Sequence, residues 1–129
     1  MNILLLEPYY GGSHRSWSDG YKKYSSHDIT ILSLPGRFWK WRMHGGAVTL
    51  AKEFNKIEKS FDLILASDML DLTTFLSLTR KKSSHIPTVI YFHENQLSYP
   101  WSPDDRDIIE KRDKHYGFIN YSSALTANH

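Results

Sequence analysis

A chain of 129 residues and 15.1 kDa, 40% hydrophobic and 23% charged, is long enough to close one globular core and too apolar to remain disordered. It contains no cysteine, which excludes disulfide scaffolds, zinc knuckles, thiol nucleophiles and iron–sulfur clusters. A net charge of +2, from 16 Lys and Arg against 14 Asp and Glu, neither requires nor excludes nucleic acid, so local clustering has to decide. No apolar run approaches the roughly 18 residues of a membrane span, and Ile3–Leu6 is shorter than the apolar part of a secretory signal; the expected location is the cytoplasm. Aromatics reach 14%, with four Trp and eight Tyr, which serve equally as core fillers or as stacking surfaces for sugars and bases.

The chain opens on Ile3-Leu4-Leu5-Leu6, the continuous apolar run of a strand buried on both faces, and Glu7 to His14 reads as the loop after it. Trp17, Tyr21 and Tyr24 at i, i+4 and i+7 predict a helix, and Ile29 to Leu34 a second strand ending at Pro35-Gly36. Arg37 to His44 reads as a loop. Ala47, Leu50, Ala51, Phe54 and Ile57 then mark a second helix, and Leu63 to Ala66 a third strand. Leu72, Phe75, Leu76 and Thr79 mark a third helix, capped by Asp71 and ending on Arg80-Lys81-Lys82, whose charge suits a helix C-terminus. Thr88 to Phe92 is the fourth strand. One long helix is expected from Arg106 to about Tyr121, and a fifth strand at Ala124 to Asn128. This alternation predicts a three-layer α/β domain, a parallel sheet with helices on both faces.

In such sheets a ligand lies beyond the carboxyl ends of the strands, and those are the places where the unusual residues fall. Gly11-Gly12-Ser13-His14 precedes a helix, where bare backbone N–H groups and the helix dipole suit a phosphate, or where a tight turn simply needs glycine. The dinucleotide fingerprint is incomplete, and Leu34-Pro35-Gly36-Arg37 stands where a ribose-binding acid belongs, which disfavours a nicotinamide enzyme. After the second strand, Arg37, Lys40 and Arg42 interleave with Phe38, Trp39 and Trp41. Such a stretch suits an anionic acceptor that carries rings, such as RNA; the alternative is Trp side chains folded back on the core. After the fourth strand, His93-Glu94-Asn95-Gln96 offers a His for a sugar hydroxyl or a proton and a Glu to orient it. His14, His44 and His93 lack any metal-ligand spacing, so no metal site is expected.

Taken together, several stretches resemble the glycosyltransferase-like family associated with mannosylation of queuosine in tRNA. They are Ile3 to His14, Leu34-Pro35-Gly36 with Trp39-Lys40-Trp41-Arg42, Tyr91 to Leu97 with Tyr99-Pro100, and Arg112-Asp113 with Tyr116-Gly117 and Asn120. The resemblance runs almost end to end. It implies a retaining GT-B glycosyltransferase of which this chain is the N-terminal, acceptor-side, Rossmann-like domain, with the C-terminal donor-binding domain outside it. It implies GDP-mannose as co-substrate, tRNA as acceptor and no metal. By the same resemblance Gly11 and Gly12, with Ser13 and His14 beside them, approach the donor, and His93 and Glu94 meet its sugar. Arg37, Trp39, Lys40, Trp41, Arg42, Asn95 and Gln96 are left to hold the acceptor.

Two readings from other classes stand beside it. A non-catalytic RNA-binding module is supported by the Arg/Trp stretch and predicts salt-sensitive tRNA binding. A flavodoxin-like nucleotide or flavin binder is the other, and a visible absorbance spectrum separates it.

Overall fold

The computed structural model describes residues 1–129 and runs β1 (Asn2–Tyr10), α1 (Gly12–Tyr24), β2 (Asp28–Pro35), α2 (Trp39–Lys56), β3 (Leu63–Ser67), α3 (Leu72–Ser83), β4 (Thr88–Tyr91), α4 (Arg106–Ile109) and α5 (Lys114–Thr126). The four strands form one all-parallel sheet in the order β2-β1-β3-β4, the Rossmann-like α/β arrangement expected. β1 is central, and its alternating side chains feed two cores. Leu4 and Leu6 join Ile64 and Ala66 of β3 under Leu50 and Phe54 of α2 and Leu72 and Phe75 of α3. Ile3 and Leu5 face the other way, with Ile29 and Leu65, against Trp17 and Tyr21 of α1. With each fully buried Leu or Phe contributing about 1.5–3 kcal/mol, the larger cluster under α2 and α3 dominates the stability. Tyr24, in the last turn of α1, is 78% exposed and leaves that helix face to Trp17 and Tyr21.

Near the carboxyl end of β1 the ladder slips: Glu7 pairs Ser33 but Tyr10 pairs Pro35, so β1 carries one extra residue. Pro8 has no N–H to give the ladder, and the bulge frees the N–H of Tyr9, which Glu7 Oε1 accepts at 3.0 Å. β1 therefore continues through the segment expected as loop. The next turn is set by glycines: Gly12 has φ +52°, and a Cβ on Gly36 would lie 2.6 Å from Gly11 Cα. The two strand exits of β1 and β2 thus touch backbone to backbone.

Three expectations are corrected. Trp39 to His44 is not loop but the first turns of α2, entered through Phe38 at φ 55°. The long helix from Arg106 is broken by Lys111 in the left-handed region (φ 56°) into α4 and α5. Ala124 to Thr126 is the end of α5 rather than a strand. Ser123 holds that helix on α3 by accepting the Leu72 N–H and donating to Leu70 O. Strand-like pairing begins only at Asn128, whose N–H donates to Thr88 O at 2.9 Å, followed by Ile90 N–H to His129 O at 3.0 Å.

Gly36→Ala should destabilise the protein by about 1–3 kcal/mol, the usual range for forcing extra atoms into a packed site. Gly45→Ala, where nothing lies within 4 Å on the outer side of α2, should stabilise by about 0.5–1 kcal/mol. Urea denaturation of the two variants checks both signs.

Candidate functional site

Two carboxylates lie buried at the exits of neighbouring strands, Glu7 on β1 at 0% exposure and Asp68 after β3 at 1%. Each is met by a histidine. His14, in the first turn of α1, bonds Glu7 Oε2 through Nδ1 at 3.2 Å. His93, just past β4, gives Asp68 Oδ1 both its backbone N–H (3.1 Å) and its Nδ1 (3.2 Å). Toward an ionised carboxylate, which only accepts, the Nδ1 of each ring is the donor. The two imidazoles stack, centroids 4.0 Å apart and planes 29° apart, and Trp17 and Tyr91 close on His93 edge to face at 5.0 and 4.9 Å. His93 Nε2 is buried with no partner.

Charge in this cluster is set by competition. Burial works against protonation of His14, but the hydrogen bond and field of Glu7, with Asp68 and Glu94 beyond, outweigh it and hold the imidazole above its ordinary value. Burial raises the Asp68 carboxyl, against the hydrogen bonds and fields of the histidines. Burial, then the field of Asp68, raises Glu94.

The cluster borders a cleft of about 340 Å³ at the carboxyl ends of the strands. It is lined by the polar Ser13, His14, Glu94 and Gln96, by Tyr9, Trp39 and Met69, and by Tyr99 to Ser102 with Asp105. Trp39 meets Trp101 edge to face at 5.2 Å and Tyr116 at 5.1 Å, so part of the lining is aromatic, and it packs with Met43 and Ile119. Gln96 is held by its N–H to Asn120 Oδ1 (2.7 Å), while Asn120 Nδ2 donates to Asp68 O (2.8 Å), so one buried α5 side chain ties the β4 exit to the β3 exit.

The residues singled out in the sequence divide accordingly. Gly11 and Gly12 form the turn into α1, whose first residue carries no side-chain cap. Ser13, His14, Glu94, Gln96 and Trp39 line the cleft and His93 stands behind it. Asn95 turns inward on its own loop, its Oδ1 accepting from Leu97 N, Ser98 N and Ser98 Oγ. Lys40 is bound to Asp105 at 2.8 Å and Asp107 at 2.5 Å among Trp39, Trp101 and Tyr116, which latches the cleft wall to α2. Arg37 and Trp41 face outward, Trp41 at 73% exposure, and Arg42 Nε donates to Pro35 O. Two contributors escaped sequence reasoning as site residues, Glu7 and Asn120, while Ser67-Asp68 was expected only as a polar exit of the third strand, with no role for the acid. Glu7 had a signal, an acid placed directly after a buried apolar run.

Glu7, His14 and His93 bring one ligand atom each within 4.8 Å of one another, whereas His44 lies apart, against His115 at 3.1 Å. Distance alone suits a cation, but stacked imidazoles direct their in-plane nitrogen lone pairs alongside each other rather than to a common point. The Nδ1 of His14 and of His93 is also committed to a carboxylate.

The family profile described as tRNA-queuosine alpha-mannosyltransferase N-terminal matches residues 2–129. The chain belongs to this family. A tRNA-queuosine alpha-mannosyltransferase of Drosophila melanogaster is 34% identical over 128 residues, covering 98% of this chain and 32% of the relative. The chain thus spans about a third of the length of the curated relative it matches. No solved structure matches it. Membership makes the protein's family one of glycosyltransferases, and no helix of the structure is long and apolar enough to cross a membrane.

The raised His14 has a stability consequence. A histidine whose folded value exceeds its unfolded one stabilises the fold fully below the unfolded value, 6.5, and that contribution is lost as pH rises through the folded value. In Glu7→Gln the negative charge that favours protonated His14 is gone. The gap in urea midpoint between wild type and Glu7→Gln should therefore be wider at about pH 6 than at about pH 9. A gap that is constant with pH would contradict the pairing.

Proposed function

We propose that this chain is the acceptor-side domain of a retaining GT-B glycosyltransferase that transfers mannose from GDP-mannose to queuosine in tRNA, in the cytoplasm. The observation that carries the reading is the aromatic cleft backed by the Glu7–His14 and His93–Asp68 pairs, in a chain of this family. Gly11 N–H is spent on Tyr9 O, so the donor diphosphate is met by the uncapped first-turn N–H groups of Gly12 and Ser13, and no metal is needed there. The nucleotide is held from the opposite side by a separate C-terminal domain. His93, held by Asp68, is the group of this reading that meets a hydroxyl of the donor sugar; its Nε2 is unpartnered but buried, so the meeting requires the side chains packed on the ring to move aside. Transfer is a front-face displacement. The bond from the anomeric carbon to the phosphate oxygen breaks as the bond to the acceptor oxygen forms, and the acceptor's proton passes to the departing phosphate.

The outward face of the β2–α2 turn, with Arg37, Phe38 and Trp41 exposed, supports contact with the tRNA body outside the cleft. That same face favours the second reading, an RNA-binding module without catalysis.

His93→Ala, made in the longest reading frame that contains this sequence, separates the two. Loss of one positioned hydrogen-bonding group should lower mannose transfer by about 10²-fold. Binding of tRNA should stay within about twofold, because the phosphate contacts that dominate affinity lie elsewhere. Unchanged turnover overturns the role of His93, and tRNA binding with no transfer by the wild type favours the RNA-binding module.

A further inference from the structure

The cleft has a charge opposite to that expected of a site for an anionic acceptor. No Lys or Arg lines it, and the charged side chains that do are Glu94, Asp105 and His14. The nearest ammonium, Lys40, is bonded to both Asp105 and Asp107. Arg37 and Arg42 do not line the cleft, and Arg42 is bonded to the Pro35 carbonyl. Behind the lining stand two more carboxylates, Glu7 and Asp68. His14 is tied to one of them. Glu94 has no cationic partner within bonding distance: its only hydrogen bond is from Gln96 Nε2, at a long 3.3 Å.

The same corner holds an unmet acceptor. Gln96 Oε1 is buried with no partner, beside a Glu94 whose charge is disfavoured by burial and by Asp68. Both defects are relieved by one kind of ligand group, a charged N–H donor. A cation beside Glu94 gains from the low dielectric that now penalises the carboxylate, and charge-assisted hydrogen bonds are the stronger kind. The same cleft is lined by Trp39 and Trp101, rings that take the apolar faces of a small cyclic group and favour a neighbouring positive charge.

We infer that the cleft recognises its ligand as a cation: Glu94 and Gln96 Oε1 receive a protonated amine that the ligand carries next to a hydroxylated ring, and Trp39 and Trp101 hold that ring. The inference rests on the proposed function and deepens it: it seats the acceptor's ring in this cleft and gives Glu94, which the resemblance assigned to the donor sugar, to the acceptor. Phosphates of the same acceptor are left to the exposed face around Arg37, so one molecule is held by two surfaces of opposite charge. Queuosine has the required chemistry, a secondary amine joining its base to a ring diol.

The test is calorimetric binding of two nucleosides, queuosine and its N-acetyl derivative, to the longest reading frame that contains this sequence. Acetylation removes the charge and keeps the ring and hydroxyls. Wild type should bind queuosine at least about tenfold more tightly, the scale of one charge-assisted hydrogen bond. In Glu94→Gln, nearly isosteric and checked for native circular dichroism, the ratio should fall to within about twofold. Equal affinities in wild type overturn the inference and leave the acceptor reading standing. So does a ratio that survives in Glu94→Gln, because the acetyl group is then rejected by size alone. Failure of queuosine itself to bind overturns the acceptor reading, and the inference with it.

Discussion

Burying two carboxylates at the ends of adjacent strands is the constraint on which the rest of this structure depends. Glu7 and Asp68 are almost wholly inaccessible, and a buried charge stripped of its partner costs about 3–5 kcal/mol, a large part of the roughly 5–15 kcal/mol that holds a domain together. Each carboxylate is held by a backbone N–H, from Tyr9 on Glu7 and from His93 on Asp68, and by a histidine side chain from a different element. His14 reaches Glu7 because the bulge at Pro8 and the turn at Gly11 and Gly12 place the start of α1 over the end of β1. His93 reaches Asp68 because β4 pairs with β3 in a register that sets Ser67 opposite Tyr91. Fold and site are therefore one requirement: sheet order, the bulge and the glycine contact between Gly11 and Gly36 all serve to bring two imidazoles face to face.

From that pairing follows a segregation of charge. Acids and aromatic rings gather around the cleft, while exposed cations and aromatics lie on the outer side of the β2–α2 turn. Lys40 marks the border. Its charge is engaged with Asp105 and Asp107, so it fastens the segment that walls the cleft instead of offering a free cation to a ligand. An overall charge of +2 conceals this division completely.

Much of the framework was legible in the sequence, because parallel strands buried on both faces read as plain apolar runs, as at Leu4 to Leu6 and Leu63 to Ala66. One helix cap was legible too: Asp71 accepts the Thr74 N–H at 2.9 Å. What stayed hidden depends on tertiary contacts. Ala124 to Thr126 continues a helix that Ser123 and Thr126 bond to Leu72 and Thr73 at the start of α3, a choice that local propensity does not encode. Arg37 to His44 read as one basic, aromatic loop, yet helical periodicity from Trp39 onward sends Trp39 and Met43 inward and Trp41 outward. Within the site, His14, His93, Glu94 and Gln96 stood out as polar residues at strand exits. Glu7 and Asp68 did so only faintly, since an acid after an apolar run looks the same whether it meets solvent or a buried histidine.

The claim at the centre of this account is that the cleft serves mannosyl transfer to queuosine, and it is tested most directly by acceptor dependence. The measurement is radiolabelled mannose counted on tRNA after incubation with GDP-mannose and the longest reading frame that contains this sequence. Two preparations of one tRNA would be used, alike except that one carries queuosine and the other guanosine at the same position. Label is expected on the queuosine-containing tRNA alone. Equal labelling of both, or of neither, would contradict it.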